Sequence, residues 1–377
     1  MPNGAELFID TAVGLGIDTV FTLVGDHLNE VLVAAARADM RIVDLRHESG
    51  VTHAADAWAR IHRRPALALV TGGPGHTNAL TGIATAQLAL SPLIAVSGSR
   101  PSTLANRGAF QDIDQVGMAR PVVKWAAEVP AAGAIASYLT RAFAVANSGR
   151  RGVVHLTIPV DLFAAEIKTA AGAPVPDVAD APADASANAP ASFSLAEVPR
   201  AIALLRAAAR PVVIAGSGVR WADAADALRR FVERTSLPLY TITMARGLVP
   251  DDHPLVMGYA DPALNHAVQT AFREADLFLV VGKRIDFRLA LGGPRLFPPG
   301  ARFVQIDIHP GELGFNRPLE VGICADARQA LEALCQAAGT AFGFNGNIAP
   351  FFELAPHRPA DQLFVINDQN FFAWHKK

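Results

Sequence analysis

Cysteine is almost absent from this chain of 377 residues, which contains only Cys324 and Cys335. The two are not arranged as CxxC, and no histidine and cysteine spacing is typical of a zinc site, so a disulfide framework and a structural metal site are not expected. This cysteine usage favours a reducing compartment, and we expect the protein in the cytoplasm. The opening residues, MPNGAELFIDTAVGLG, show acidic residues and a helical period, so no signal peptide is expected.

Long apolar runs and an excess of one charge are also missing. The most apolar stretches, ALALVTGG and LALSPLIAVSG, are broken by Gly, Ser or Pro well short of the ~20 residues that a membrane-spanning helix needs. The net charge is -2 and no basic patch is concentrated anywhere, which disfavours nucleic acid and anionic membranes as partners. The chain does have 51% hydrophobic residues, enough for a large core and more than one domain.

Short β-branched runs alternate with helical patterns over the first part of the chain. The runs that we predict to be strands are DTVFTLVG, RIVDLR, ALALVTGG, PLIAVSGS, VVKWAAEV and GVVHLTIP. Strands separated by helix-length segments indicate βαβ units and a parallel sheet. We therefore predict one α/β domain at residues 1–168, in which the run before Glu48 is a buried strand.

The composition changes sharply after this domain. The stretch TAAGAPVPDVADAPADASANAPAS has no large apolar side chain beyond valine and predicts a surface linker at residues 169–194. A second alternation, from SLAEVPRAIALLRAA to ARQALEALCQAA, predicts another doubly wound, mostly parallel α/β domain at residues 195–338. Residues 339–377 show no clear period and are predicted to form an irregular tail.

Four features of the first domain lie where a predicted strand ends. They are Glu48 in DLRHESG, the glycine-rich turn TGGPG, Phe110 and Gln111 in GAFQD, and His27 after Gly25 in FTLVGDHL. Each has an ordinary structural interpretation: a helix-start carboxylate, a tight turn that is neither GxGxxG nor GxxxxGK[ST], a loop residue and a capping histidine. Because the carboxyl ends of parallel strands meet at one edge of the sheet, the four together predict one ligand-binding crevice.

Two series of motifs occur in the order of a known family. The first consists of RHE, TGGPGHTNALTGIATA, SPLIAVSGS, GAFQDIDQVGMARPVVKW and RGVVHLTIPVD, and the second of RPVVIAGSG, MARGLVPDDHPLVMG, EADLFLVVGKRIDFR, FVQIDIHPGELGFNRP and ADARQALEAL. They resemble the pyrimidine-binding and the Rossmann-like central domains of thiamine-diphosphate enzymes of the acetolactate synthase group. The resemblance covers roughly residues 4–336 and implies a lyase or transferase that cleaves or forms a C–C bond.

Within that group, three segments are most similar to the 2-hydroxyacyl-CoA lyases, namely FTLVGDHLNEVL, STLANRGAFQDIDQ and KRIDFRLALG. The first region also resembles benzaldehyde lyase, which has a histidine at the place of His27. Acetolactate synthases usually have Pro-Gly-Gly at that place and DDR where this chain has DFR. We therefore predict a 2-hydroxyacyl-CoA lyase-like enzyme, with an acetolactate synthase large subunit as the alternative.

The resemblance implies a role for Glu48 as the residue that activates thiamine diphosphate. Such a carboxyl hydrogen-bonds a ring nitrogen of the aminopyrimidine and favours its imino form, which works best in a pocket that excludes water. The same matching implies that Gly25, Pro74 and Asn78 line the aminopyrimidine pocket. It also implies that Gln111 and Phe110 face the reacting centre and that His27 is a candidate proton shuttle.

In the central domain, members of the family bind FAD or ADP or have lost the site. The matching positions here are Gly216, Gly218, Arg284, Asp307, Ile308 and Asp326. An acidic residue after a strand suits a ribose or an adenine amino group, and an arginine suits a pyrophosphate. A domain that only packs against its neighbours is the alternative interpretation.

A third domain of the family holds the diphosphate through Mg²⁺, and its Gly-Asp-Gly and Asn-Asn motif is absent from this sequence. The chain is then a truncated or frameshifted member, one half of a split enzyme, or a chain whose last segment is not native, and it is inactive alone. The resemblance implies a second chain that supplies the diphosphate-binding domain, and a homo-oligomer, dimer or tetramer. A non-catalytic nucleotide-binding subunit is the alternative function, and the substrate is expected to be a small acyl compound or aldehyde.

Overall fold

The computed structural model describes residues 2–105, 107–167 and 194–339. The chain divides into two compact units, residues 1–191 and 192–377. Most of the predicted linker and nearly all of the predicted tail lie outside the described residues. No helix in these ranges combines the length and apolar character that crossing a bilayer requires.

The first unit is built on a six-stranded sheet in which every strand pair is parallel, in the order β2-β1-β3-β4-β6-β5. Its strands are β1 Thr19–Thr22, β2 Arg41–Asp44, β3 Ala66–Val70, β4 Leu93–Ser99, β5 Trp125–Glu128 and β6 Val153–Pro159. Its helices are α1 Gly4–Gly14, α2 Asn29–Arg37, α3 Glu48–His62, α4 Pro74–Leu88, α5 Gln115–Ala119, α6 Ile135–Asn147 and α7 Val160–Ala164. The chain order reverses between β1 and β3, which is where a crevice opens in such sheets.

Burial separates the centre of this sheet from its edge. Every residue of β3, β4 and β6 is buried, as continuous apolar strands covered by helices on both faces require. The strand before Glu48, β2, is mostly exposed, so the prediction of a buried strand there is wrong. The reason is its position, since in the described part of the chain β2 is an edge strand whose one partner is β1.

The second unit has a second all-parallel sheet of six strands, in the order β12-β11-β10-β7-β8-β9. The strands are β7 Pro211–Ala215, β8 Leu239–Thr241, β9 Val256–Tyr259, β10 Leu277–Val281, β11 Arg302–Asp307 and β12 Val321–Cys324. The helices are α8 Val198–Ala207, α9 Ser217–Trp221, α10 Ala225–Thr235, α11 Ala267–Glu274 and α12 Ala327–Ala338. One face of this sheet carries a cluster of aromatic rings at Phe272, Phe278, Phe297 and Phe303. The α/β fold with two doubly wound sheets is thus confirmed.

Candidate active site

The turn Thr71–Gly75, which joins β3 to α4 and includes the first two residues of that helix, is the centre of the candidate site. Gly73 has φ +59, a backbone conformation that favours glycine, and a Cβ there would lie 2.7 Å from the Cβ of Gln111. A Cβ on Gly72 would lie 2.7 Å from the carbonyl oxygen of Gly98, at the end of β4. The glycines therefore let the turn touch the loop that carries Gln111 and the neighbouring strand at the same time.

Glu48 is the first residue of α3 and is 9% exposed. The helix is capped by His47, whose Nδ1 accepts a hydrogen bond from the Ser49 amide at 3.1 Å, so the Glu48 side chain is not needed as the cap. Its Oε2 accepts a hydrogen bond from Asn78 Nδ2 at 3.0 Å. Its Oε1 makes no hydrogen bond within the described ranges and lies 3.4 Å from the place where a Cβ on Gly75 would be. One carboxylate oxygen is thus fixed and the other is available.

His27 follows β1 in a short 3-10 helix, Asp26–Leu28, and is 5% exposed. Its Nδ1 accepts a hydrogen bond from the Gly72 amide at 3.2 Å and lies 2.8 Å from Thr71 Oγ1. Burial lowers the pKa of His27, against the opposite effect of the nearby Asp26 carboxylate. Gly25 lies directly before this turn, and a Cβ there would be 2.6 Å from the Thr71 Cβ. The β1 and β3 turns are therefore in direct contact.

The loop after β4 brings two predicted residues to the same place. The Phe110 ring stacks on the His27 ring with 6.3 Å between centroids and is 67% exposed. Gln111 has φ +57, which costs a residue with a side chain about 1–2 kcal/mol. Its Oε1 is buried and has no hydrogen-bond partner in the described part of the chain. Strain and an unsatisfied oxygen at one residue are typical of a functional position.

Ion pairs and hydrogen bonds hold the base of this loop. Arg100 has an 11% exposed side chain and pairs with Asp112 at 3.3 Å and with Glu128 at 2.9 Å. At the start of the loop, the amide of Ser102 donates to the carboxylate of Asp161 at 2.8 Å. The position of Phe110 and Gln111 is therefore fixed by charged contacts on both sides.

Two residues of the site were not predicted from the sequence. Thr71 contacts His27, as described above. Gln115 is 2% exposed, and its Oε1 accepts a hydrogen bond from the Gly73 amide at 3.1 Å while its Nε2 donates to the carbonyl of Gly98 at 3.2 Å. Both are common polar residues that acquire a role only through contacts distant in sequence, so no local pattern marks them.

A pair of buried histidines lies next to the turn. His76 Nδ1 is 2.9 Å from Ser97 Oγ, and His155 Nε2 is 3.2 Å from the same oxygen. Both rings are fully buried, and their centroids are 4.6 Å apart. Burial lowers the pKa of His76 to about 4, and burial together with His76 places the pKa of His155 well below its usual range. Both rings are neutral at physiological pH and form part of the core.

The predicted nucleotide-binding glycines of the second unit are in contact with another strand end. Gly216 and Gly218 follow β7, and their amides donate to the carbonyls of Val281 at 2.9 Å and Gly282 at 2.8 Å. A Cβ on Gly218 would lie 2.6 Å from the Gly282 Cα. These glycines serve the close packing of two backbone segments, and their amides are not available to a phosphate.

The other four predicted residues of this unit also contact the chain itself. Arg284 pairs with Glu312 at 3.4 Å, and Asp307 accepts a hydrogen bond from the His309 amide at 3.0 Å. Asp326 caps α12 by accepting from the Arg328 amide at 2.9 Å. The carbonyl of Ile308 lies 3.9 Å from Cys324 Sγ. Each of these residues thus has at least one contact within the second unit.

Near the turn, the side-chain atoms Glu48 Oε1, Gln111 Oε1 and His27 Nε2 have no hydrogen-bond partner among the described residues. In the adjacent core, His76 Nε2 and His155 Nδ1 also have none. An aminopyrimidine ring has both donors and acceptors, so the carboxylate and the glycine-lined space beside it fit that half of thiamine diphosphate. Within the described ranges, no group of three or more His, Cys, Asp or Glu side chains could hold a metal ion.

Residues 2–118 match the protein family described as thiamine pyrophosphate enzyme, N-terminal TPP binding domain, and residues 198–334 match its central domain. The chain is 33% identical over 335 residues to a probable acetolactate synthase large subunit of Methanocaldococcus jannaschii, covering 89% of this chain and 56% of that protein.

Relatives with other activities match over the same region. Oxalyl-CoA decarboxylase of Escherichia coli is 30% identical, with 89% of this chain and 57% of that protein covered. The 2-hydroxyacyl-CoA lyase of rice is 31% identical, with 88% and 56% covered. The chain spans about half the length of these curated relatives. The two matched domains and the similarity to these relatives show that the chain belongs to the thiamine-diphosphate enzymes of the acetolactate synthase group.

Proposed function

We propose that this chain supplies the pyrimidine-binding half of the active site of a thiamine-diphosphate-dependent lyase or carboligase. When bound, thiamine diphosphate supplies a carbon nucleophile and an electron sink for breaking or forming the bond beside a carbonyl group. The observation that carries the proposal is the buried Glu48 carboxylate, which has one oxygen held by Asn78 and the other available beside Gly75.

The residues of the chain have distinct tasks in this proposal. Glu48 holds or shares a proton through Oε1, and Asn78 orients the carboxylate so that this oxygen faces the glycine-lined space. Gly25 and Pro74 border that space. Gln111 and His27 face the reacting group from the loop and the β1 turn, and Phe110 covers the histidine ring on its exposed side. A buried carboxylate can control a proton at a defined atom because water does not compete for it.

The finer proposal is a 2-hydroxyacyl-CoA lyase-like activity on 2-hydroxy or 2-oxo acyl compounds. His27 and the DFR sequence at Asp286–Arg288 favour it over an acetolactate synthase large subunit. The rice 2-hydroxyacyl-CoA lyase and the archaeal probable acetolactate synthase large subunit are similarly identical to this chain. A substrate screen is therefore needed to choose between the two activities.

The remaining parts of the proposal concern groups outside this chain. We propose Mg²⁺ and a diphosphate-binding domain from a second chain, assembly as a homo-oligomer, and a cytoplasmic location.

FAD or ADP in the second unit has less support, since Gly216, Gly218, Arg284, Asp307 and Asp326 are engaged with the chain itself. A non-catalytic nucleotide-binding subunit has less support for the same reason.

The test uses the free aminopyrimidine alcohol that corresponds to half of thiamine diphosphate, titrated into the ¹⁵N-labelled chain. We expect the amide signals of Gly72, Gly75 and Asn78 to shift, because the probe has no diphosphate and depends on the Glu48 pocket. Glu48→Gln should weaken binding roughly tenfold, since it removes a charged hydrogen-bond acceptor. Glu30→Gln on α2, where the side chain is exposed, is the matched control and should bind like the wild type.

Two results would contradict the proposal: unshifted amides at saturating probe, or equal affinity of Glu48→Gln and wild type. A second measurement concerns thiamine diphosphate with Mg²⁺, whose calorimetric binding to the isolated chain is expected to be much weaker than micromolar. In the complete enzyme, Glu48→Gln should abolish turnover while it changes cofactor affinity little, because the diphosphate then dominates binding.

A further inference from the structure

The ring of His27 is held in one position by surrounding backbone. A Cβ on Gly98 would lie only 2.3 Å from the His27 Cβ, and a Cβ on Gly72 would lie 3.4 Å from the ring Cε1. On another side the Phe110 ring stacks with an interplanar angle of 27°. The buried imidazole is thus packed between the end of β4, the β3 turn and the Phe110 ring.

The two contacts of Nδ1 determine which ring nitrogen carries the proton. A backbone N–H can only donate, and the Gly72 amide points at Nδ1 from 3.2 Å, so Nδ1 must hold a lone pair. The hydroxyl of Thr71, 2.8 Å from the same nitrogen, must then donate as well. A neutral imidazole has one N–H, which is therefore on Nε2.

The same contacts oppose a positive charge on the ring. A second proton would have to be placed on Nδ1, where the Gly72 amide already points its hydrogen. The lowered pKa of His27 agrees with this. Within the described ranges, Nδ1 makes every hydrogen bond of the ring, and Nε2 makes none. Nε2 is also absent from the fully buried side-chain atoms that lack a partner. Nε2–H is the polar group that the ring offers to the crevice.

We propose that Thr71 is a positioning residue that, together with the Gly72 amide, fixes His27 as the Nε2–H tautomer. His27 then presents a hydrogen-bond donor to an oxygen of the bound acyl or carbonyl compound, and it does not act as the proton shuttle that its residue type suggests. The tautomer follows from the contacts of Nδ1 alone, whereas the role toward a substrate oxygen rests on the proposed function. A fixed donor stabilises charge that develops on oxygen without reorganisation.

Thr71 has a second set of contacts, which must be separated from the first. A Cβ on Gly75 would lie 2.6 Å from its methyl carbon Cγ2, and a Cβ on Gly25 would lie 2.9 Å from the same carbon. The methyl group thus fills the space between two turns, and the hydroxyl contacts His27. Thr71→Val keeps the shape and removes the hydroxyl, whereas Thr71→Ser keeps the hydroxyl and removes the methyl group.

The test is a long-range ¹H–¹⁵N correlation spectrum of the full chain labelled with ¹⁵N-histidine, recorded near neutral pH. The signals of His27 among the 11 histidines are assigned by their loss in His27→Gln. We expect a single neutral pattern with a proton on Nε2 in the wild type and in Thr71→Ser. In Thr71→Val, Nδ1 keeps only its longer hydrogen bond, from the Gly72 amide. We expect the ¹⁵N shifts of Nδ1 and Nε2 to move toward each other, because some of the other tautomer is then populated and rapid exchange averages the signals.

An Nδ1–H or doubly protonated pattern in the wild type would overturn the assignment of the donor. A Thr71→Val spectrum identical to that of the wild type would overturn the role of Thr71. Both results are independent of cofactor binding, because no ligand is present in the sample. Failure of the aminopyrimidine probe to bind, with the Nε2–H pattern intact, would instead contradict the proposed function alone.

Discussion

Each unit has a glycine-rich turn where a strand of a parallel sheet passes into a helix, yet the two turns are used differently. In the turn Thr71–Gly75, the amides of Gly72 and Gly73 are bound by the side chains of His27 and Gln115. In the turn after β7, the amides of Gly216 and Gly218 are bound by backbone carbonyls of the next strand end.

This difference shows what a glycine-rich turn does and does not indicate. Glycine permits close approach in both units, but the approaching group is another backbone segment in one and a set of polar side chains in the other. Only the first arrangement leaves polar atoms such as Gln111 Oε1 without a partner in the described residues. An unsatisfied side-chain oxygen on the loop that touches the turn supports a ligand site, which the glycines alone do not.

The largest loss of stability is expected at the β7 turn, where two backbone segments are in contact. In Gly218→Ala the new Cβ would lie 2.6 Å from the Gly282 Cα, which cannot move away alone, so we expect a loss of about 3 kcal/mol in the free energy of unfolding. Gly300→Ala is the control, since none of the described residues has an atom within 4 Å of its Cβ position. Urea unfolding measures both, and equal stability of the two variants would show that the β7 turn is open enough for a ligand.

A smaller effect is a loss of stability in acid, which we expect in the first unit only. The folded first unit resists protonation of His76, whose pKa is about 4, whereas the unfolded chain has the ordinary value of 6.5. The unfolded state therefore binds more protons below pH 6.5, and the free energy of unfolding falls as the pH drops toward 4. Between pH 6.5 and pH 5, one such histidine lowers the free energy of unfolding by about 2 kcal/mol.

Hydrogen exchange at pH 6.5 and pH 5, corrected for intrinsic rates, measures this loss of stability. Amides of β4 and β6 report on the first unit, and amides of β7 and β10 report on the second. We expect the loss in the first unit and a reduced loss in the variant His76→Leu, which replaces the ring by an apolar side chain. The same pH dependence in both sheets would contradict the assignment to the buried histidines.

The smallest effect compares two residues with positive φ, Gln111 in the first unit and Ser236 at the end of α10 in the second. Glycine at either position relieves the same backbone cost, about 1 kcal/mol. Gln111→Gly also removes a buried oxygen that has no partner in the described chain, so it should stabilise more than Ser236→Gly. Thermal unfolding compares them, and a larger gain for Ser236→Gly would show that Gln111 is not under functional strain.

The sequence predicted the strands that are buried on both faces, because β3, β4 and β6 are continuous apolar runs. It did not predict β9 or β12. The first contains Gly258 at φ +103 and pairs with β8 across an irregular register, and the second is four residues long and half buried. Such strands form because a neighbour offers hydrogen bonds, and their own residues give no periodic pattern.

The candidate site was predictable to the extent that its residues end neighbouring strands. Its internal contacts were not, because Gln115 binds the Gly73 amide from 42 positions along the chain and Thr71 meets His27 across two strands. In the second unit the sequence marked Arg284 and Asp326 by position, but it could not reveal that their partners are Glu312 and the start of α12.

The contact between Gly98 and His27 has a consequence for how this protein can change. A side chain at position 98 is excluded by any residue other than glycine at position 27, since the two Cβ atoms would be 2.3 Å apart. The two positions must therefore be exchanged together when the crevice is redesigned. A library that varies position 98 alone is blocked by the Cβ at position 27, whereas a library that also places glycine at position 27 can introduce a new side chain from the β4 side.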